Sequence, residues 1–161
     1  MEENTKSQID AIAKDLGLTK GSFYHHFKNK DQYLKKILQF WETQTTEKAM
    51  IHMPKFTGNL RDKLKQTEIF LHESNILKIE KSIRQSISLS IVQEYLRKMD
   101  PLRISIMVKF FIDDGYSLDE AEFKSRMIYN IQIAELITFG KPSSHFLSLD
   151  ELEARLDFYL L

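Results

Sequence analysis

Residues 8–38 read QIDAIAKDLGLTKGSFYHHFKNKDQYLKKIL. Apolar residues recur at intervals of three and four, which predicts two short helices and the beginning of a longer one. Gly17 tolerates the left-handed backbone that commonly ends a helix, so we expect the first short helix to end there. Thr19 and Asn29 are suitable caps for the second and third helices, and the third is predicted over about residues 30–52. Two short helices joined by a tight turn are typical of a helix-turn-helix.

Positive charge is concentrated around the second short helix. Between Thr19 and Lys36 the chain carries five lysines and one aspartate, whereas the whole chain has 23 Lys and Arg against 23 Asp and Glu. A lysine-rich run is also what a solvated surface looks like, but its place after a helix and a turn favours contact with DNA phosphates and base edges. His25 and His26 are neighbours, and adjacent residues on a helix point about 100° apart, so they do not predict a metal site.

The spacing of these residues resembles the DNA-binding signature of the TetR/AcrR family of bacterial transcriptional regulators. The pattern is I-A-x-x-x-G-[LV]-x-x-G-x-[LF]-Y-x-[HY]-F-x-x-K. It is matched at Ile12, Ala13, Gly17, Leu18, Gly21, Phe23, Tyr24, His26, Phe27 and Lys30. The later helices also fit the family in their order, with a weaker likeness at Ile83–Ser86, at Arg103 and in DDGYSLDEAEFKSRMIYNIQIAEL.

The resemblance implies that the second short helix reads operator DNA. The implied DNA-binding residues, some at positions that touch bases and others at positions that hold phosphates, are Thr19, Lys20, Gly21, Ser22, Tyr24, His25, His26 and Lys30. We therefore expect a regulator, most often a repressor, that a small-molecule effector releases from double-stranded DNA. A homodimer would require a pseudo-palindromic operator.

Family members carry a further helix before the helix-turn-helix. Only Met1–Lys6 precede the capping-box sequence that begins at Ser7, so we expect that first helix to be missing. The alternative interpretation follows from this expectation: a truncated family member that does not bind DNA and acts as an effector-binding or partner-titrating dimer.

The remaining sequence predicts an all-α protein with two parts. Residues 1–45 would form the helix-turn-helix module, and residues 46–161 an effector-binding and dimerisation domain built as a helical bundle. Ser117 and Ser148 each begin the sequence S-L-D-E, which is a capping box for a helix. The chain has no cysteine and no apolar run long enough to span a membrane. We therefore expect no disulfides and no membrane insertion, and we expect a cytoplasmic location.

The resemblance implies an apolar effector cavity among the middle helices. Its predicted wall residues, each of which is equally compatible with ordinary core packing, are Trp41, Phe70, Tyr95, Met107, Phe110 and Phe111. His72 is a possible polar contact. No cofactor or metal is expected, and the effector itself is not identified by the sequence.

Two C-terminal helices carry apolar stripes that predict a four-helix bundle between two copies of the chain. The predicted interface residues, which could also face their own core, are Met127, Ile128, Ile131, Glu135, Thr138, Leu149, Leu152, Leu156 and Tyr159. Enzymatic activity is not expected. The paired carboxylates at Asp113, Asp119 and Asp150 lie at predicted helix ends, where acidic residues serve as caps, and no nucleophile or phosphate-loop pattern accompanies them.

Overall fold

The computed structural model describes residues 14, 19, 30–73, 76–86, 89–139 and 148–161, and these residues form helices joined by turns. No strand occurs among them. The α-helices are α1 (Lys30–Glu42), α2 (Lys48–His52), α3 (Leu60–Glu73), α4 (Ile76–Gln85), α5 (Ser90–Asp113), α6 (Leu118–Phe139) and α7 (Leu149–Leu160). The predicted all-α class is confirmed for this part of the chain.

The helix predicted over residues 30–52 is present, but its middle is not α-helical. A π turn at Thr43–Glu47 joins α1 to α2, and the helical backbone continues through both junctions. A short 3₁₀ turn, Met53–Lys55, with Pro54 near its start, then ends the helix. We call the continuous segment from α1 through this 3₁₀ turn, residues 30–55, the long helix.

The buried apolar side chains form two clusters. The first, which we call the α1 cluster, joins five residues of α1 to α4 and α5: Tyr33, Leu34, Ile37, Leu38 and Trp41 with Ile83, Val92, Leu96 and Met99. The second, the main core, brings together α2, α3, α5, α6 and α7 around residues such as Leu64, Phe111 and Leu156. One face of α1 is therefore packed firmly against the body of the molecule.

Local sequence accounts for where several helices begin and end. The side chain and backbone of Ser148 exchange hydrogen bonds with Glu151, and those of Ser117 do the same with Glu120, so both predicted capping boxes are confirmed. Gly115 adopts a φ of +96° after α5, which is the left-handed conformation that glycine accommodates best. Pro101 lies inside α5, and the helix continues through it from Ser90 to Asp113.

Candidate ligand site and its connection to the DNA-binding segment

A cavity of about 70 Å³ lies between the long helix and the helices α3 to α6. Its lining is mostly apolar, with a few polar side chains: Thr45, Ala49, Met53, Thr67, Leu71, Glu80, Arg103, Met107, Tyr129, Gln132, Ile133 and Leu136. Thr45, Ala49 and Met53 follow one another at intervals of four, so the cavity runs along one face of the long helix. Small apolar pockets with few convergent polar groups are typical ligand sites.

Glu80 is the centre of a buried polar network at one end of this cavity. Only 3% of its surface is exposed. One carboxylate oxygen, Oε2, accepts hydrogen bonds from Trp41 Nε1 at 2.7 Å and Arg103 Nη1 at 2.9 Å, and Oε1 accepts from Arg84 Nε at 2.7 Å. Glu80 therefore joins α1, α4 and α5 through a single side chain.

Arg103 connects this network to the π turn. Its Nη2 donates to Thr45 Oγ1 at 2.5 Å, and its Nε donates to Thr46 Oγ1 at 2.9 Å. The Thr45 hydroxyl in turn donates to the Trp41 carbonyl at 2.6 Å. The guanidinium also stacks 4.7 Å from the centre of the Trp41 ring, which adds a cation–π contact. One arginine thus holds both the π turn and the last turn of α1.

The other half of the network is a second ion pair. Arg84 binds Asp100 through both terminal nitrogens, at 2.6 and 3.0 Å, in the bidentate geometry that suits a guanidinium and a carboxylate. The Tyr129 hydroxyl donates to Asp100 at 2.7 Å and accepts from Arg84 at 2.7 Å. Two acids and two arginines balance each other, so the network carries no net charge.

The surroundings of Glu80 and Tyr129 shift their pKa values in opposite directions. Burial alone would raise the pKa of Glu80, but the charges of Arg103 and Arg84 and the donated hydrogen bonds together hold it below its usual value. Burial also raises the pKa of Tyr129 well above its ordinary range. Glu80 is thus ionised and Tyr129 neutral at physiological pH.

The six predicted wall residues lie in different places. Met107 lines the cavity, and Trp41 reaches it indirectly through Glu80. Phe110 and Phe111 are buried in the main core, whereas Tyr95 packs against the α1 cluster. Phe70 stacks near His52 and Phe56 at the edge of the main core. The side chain of His72 lies outside the described residues, and ligand binding by any of these residues stays a prediction.

The predicted DNA-binding residues fall almost entirely in a part of the chain that the structure does not describe. Thr19 is described and is exposed. Lys30 begins α1, although its side chain is not described. The other six positions, Lys20, Gly21, Ser22, Tyr24, His25 and His26, lie outside the described residues, as do the predicted caps at Ser7 and Asn29.

The predicted interface residues divide into two groups. Four are buried within the chain: Ile128, Leu152, Leu156 and Tyr159. Met127, Thr138 and Leu149 are exposed, while Ile131 and Glu135 are intermediate, and Glu135 binds Arg155 at 2.6 Å. The exposed apolar stripe of α6 instead follows Phe123, Met127, Ala134 and Ile137, and the exposed Asn130 lies between them. On α7, Ala154 and Phe158 are also exposed, as is Leu161 directly after it.

The residues that sequence reasoning missed are the charged ones around the cavity. Glu80 and Asp100 belong to no motif, and Arg84 lay only within the weaker likeness at Ile83–Ser86. Charged residues four apart on a helix, such as Glu80 and Arg84, are usually solvated pairs. Thr67 gave no signal either, while Gln132 and Leu136 lay within the weaker likeness without being singled out as cavity residues. Arg103 had been singled out only as part of the weaker likeness in the C-terminal part of the chain.

The described residues thus form an all-helical body that contains a cavity, and α1 lies at the N-terminal end of that body. Residues 5–37 match the family model of the bacterial regulatory proteins of the tetR family. The N-terminal segment is therefore similar to bacterial regulatory proteins of the tetR family, and an all-helical body follows it in the part of the chain that the structure describes. No curated protein and no solved structure matches it.

Two further observations concern the described residues alone. None of their helices is long and apolar enough to cross a membrane. Within the same part of the chain, no three His, Asp or Glu side chains are grouped closely enough to hold a metal ion.

Proposed function

We propose that this protein is a repressor whose affinity for operator DNA is lowered when a small molecule occupies the cavity. One observation carries the proposal. The long helix begins inside the matched segment, which ends at residue 37, and the same helix forms a wall of the cavity through Thr45, Ala49 and Met53. A displacement at the cavity wall can therefore reach the DNA-binding segment through one helix.

The mechanism is a population shift. Two orientations of the long helix would differ in how the π turn sits against Arg103, and the ligand would favour the one in which the DNA-binding segments are wrongly spaced. A ligand shifts this equilibrium only by its difference in affinity for the two orientations. DNA and ligand should then weaken each other's binding by the same factor.

The active form would be a cytoplasmic homodimer. The exposed apolar stripe on α6 and the neighbouring exposed residues of α7 supply a surface that a second copy could cover. Residues 1–45 would supply the DNA-binding module and residues 46–161 the cavity and the dimer surface. A twofold axis between the copies would present two reading helices to a pseudo-palindromic operator.

Selection of sequences from random double-stranded DNA by the full chain tests this function. We expect enrichment of a pseudo-palindrome, and binding that weakens steeply as salt rises because lysines contact phosphates. Lys20→Ala should reduce affinity by about tenfold, whereas the same substitution at the exposed Lys109 should not. Equal affinity for selected and random DNA, or no binding, would show that the chain does not read an operator.

A further inference from the structure

The charged side chains that line the cavity are already paired within the protein. The Glu80 carboxylate accepts three hydrogen bonds from described side chains, those of Trp41, Arg84 and Arg103. Arg103 donates through all three of its nitrogens to Thr45, Thr46 and Glu80. A charged ligand would therefore find no spare opposite charge among the described lining residues, and it would lose its own hydration on entry.

The hydroxyl groups of the lining are also committed as donors. Thr45 donates to the Trp41 carbonyl, and Tyr129 donates to Asp100. Thr67 donates to the Lys63 carbonyl at 2.9 Å. A ligand group that can only accept hydrogen bonds, such as a carboxylate, is therefore poorly matched to these hydroxyl groups.

Gln132 is a lining residue with an amide acceptor to spare. Its Nε2 donates to Glu68 Oε1 at 2.9 Å, and this carboxylate oxygen also accepts from the Tyr159 hydroxyl at 2.9 Å. The carboxylate determines which way the amide is turned, because only the amide nitrogen can donate to it. Among the described residues nothing donates to Gln132 Oε1, which is left for a ligand that carries a donor.

The rest of the lining is apolar and partly deformable. Ile133, Leu136 and Leu71 are branched, while Met53 and Met107 are flexible side chains that fill irregular gaps. A volume of about 70 Å³ exceeds the space of one water molecule several times over. A compound the size of a single substituted ring could enter with small movements of the two methionines.

From these contacts we propose that the cavity takes a neutral, largely apolar ligand with one hydroxyl or N–H group, which donates to Gln132 Oε1. This inference rests on the proposed function in one respect only: it takes the same cavity to be the effector site. It assigns the chemical class of the ligand.

Calorimetric titration of the full chain with four matched ring compounds tests the class. The probes are benzyl alcohol, toluene, benzoate and benzylammonium. The affinity of benzyl alcohol should exceed that of either ion by about tenfold or more. It should bind about fivefold more tightly than toluene, which lacks the donor. An ion that binds as tightly as the alcohol, or an alcohol that does not bind at millimolar concentration, would overturn the proposal.

Three variants locate the binding. Ala49→Leu fills the cavity from the long helix and should abolish binding of the alcohol, whereas Lys48→Leu places the same side chain one residue away at an exposed position and should not. Gln132→Leu should remove the preference for the alcohol over toluene while both still bind. If that preference survives in Gln132→Leu, the donor is not bound by this amide.

Operator binding is measured separately on the unliganded chain. Failure to bind operator contradicts the proposed function and leaves the ligand class untouched. If benzoate binds and releases the operator while benzyl alcohol does neither, the proposed regulatory function is supported and the proposed ligand class is contradicted.

Discussion

At the scale of single residues, Glu80 is the group on which the packing of α1 depends. Its pKa is lower in the folded protein than in the unfolded chain, where it is about 4.3. Its ionised form therefore contributes stability above that pH, and the contribution is lost as the pH falls through the folded value. Glu80→Gln should reduce the free energy of unfolding by about 3 kcal/mol at pH 7, because it leaves buried arginines short of a counter-charge.

Urea denaturation at neutral and at acidic pH measures this effect. The difference between the original protein and Glu80→Gln should narrow towards pH 4 and below. Glu153→Gln is the matched control, since Glu153 makes its ion pairs with Arg61 and Lys65 at a site about one-third exposed. Exposed pairs contribute little, so this variant should change stability only slightly. Equal losses in the two variants would contradict the stabilising role predicted for the ionised Glu80 carboxylate.

Two glycines with the same backbone conformation provide a second residue-scale prediction. Gly58 and Gly115 both have a φ of +96°, which costs any other residue about 1 kcal/mol. A Cβ at Gly115 meets nothing within 4 Å, whereas one at Gly58 would lie 2.5 Å from Asp62 Oδ2. That carboxylate is held by the Asn59 backbone N–H at 3.1 Å. Gly58→Ala should therefore be the more destabilising of the two by about 1 kcal/mol in urea denaturation, and equal losses would contradict the contact.

At the scale of elements, the π turn is held in place by two buried threonine hydroxyls. Replacing Thr45 and Thr46 together by valine keeps the side-chain shape but removes both acceptors of Arg103. We expect a loss of about 2–3 kcal/mol, since hydrogen bonds from a charged donor are among the stronger ones. Trp41 is the single tryptophan and is fully buried, so its fluorescence reports the same change directly.

Thr43→Val serves as the control for that experiment, because Thr43 belongs to the same π turn but is exposed. It should leave both the stability and the tryptophan emission nearly unchanged. A double valine variant that behaves like Thr43→Val would mean that Arg103 does not hold the turn.

The elements also show what a sequence can and cannot predict. The helix over residues 30–52 and the caps at Ser117 and Ser148 were predictable because periodicity and capping are local signals. The π turn was not, since it adds one residue per turn without altering the amino-acid types that favour a helix. The partners of Glu80 were not predictable either: Trp41 and Arg103 are distant in the chain, and only the packing of α1 and α5 against α4 brings them together.

At the scale of the whole molecule, the two apolar clusters pack different sets of helices together. The α1 cluster ties the end of the matched segment to α4 and α5, while the main core holds the α3, α6 and α7 side. The cavity and the Glu80 network lie where the two clusters meet. A change in the packing of either cluster therefore shifts the side chains around the cavity. A tight interior transmits displacement because it has few voids to absorb it.

The proposed dimer can be tested at one exposed methionine. Met127 lies in the apolar stripe of α6 and is 44% exposed in the single chain. Met127→Arg would place a charge from each copy near the twofold axis without disturbing the core. The molar mass measured by light scattering after size exclusion should therefore fall from twice the chain mass of 19.0 kDa to the chain mass itself. Operator affinity should fall with it, because one reading helix contacts only a half-site. Met50→Arg is the matched control: Met50, on the long helix, is 50% exposed and should leave the dimer intact. A dimer that survives Met127→Arg but dissociates in Met50→Arg would place the interface on the long helix instead, and the cavity and the partner surface would then share one element.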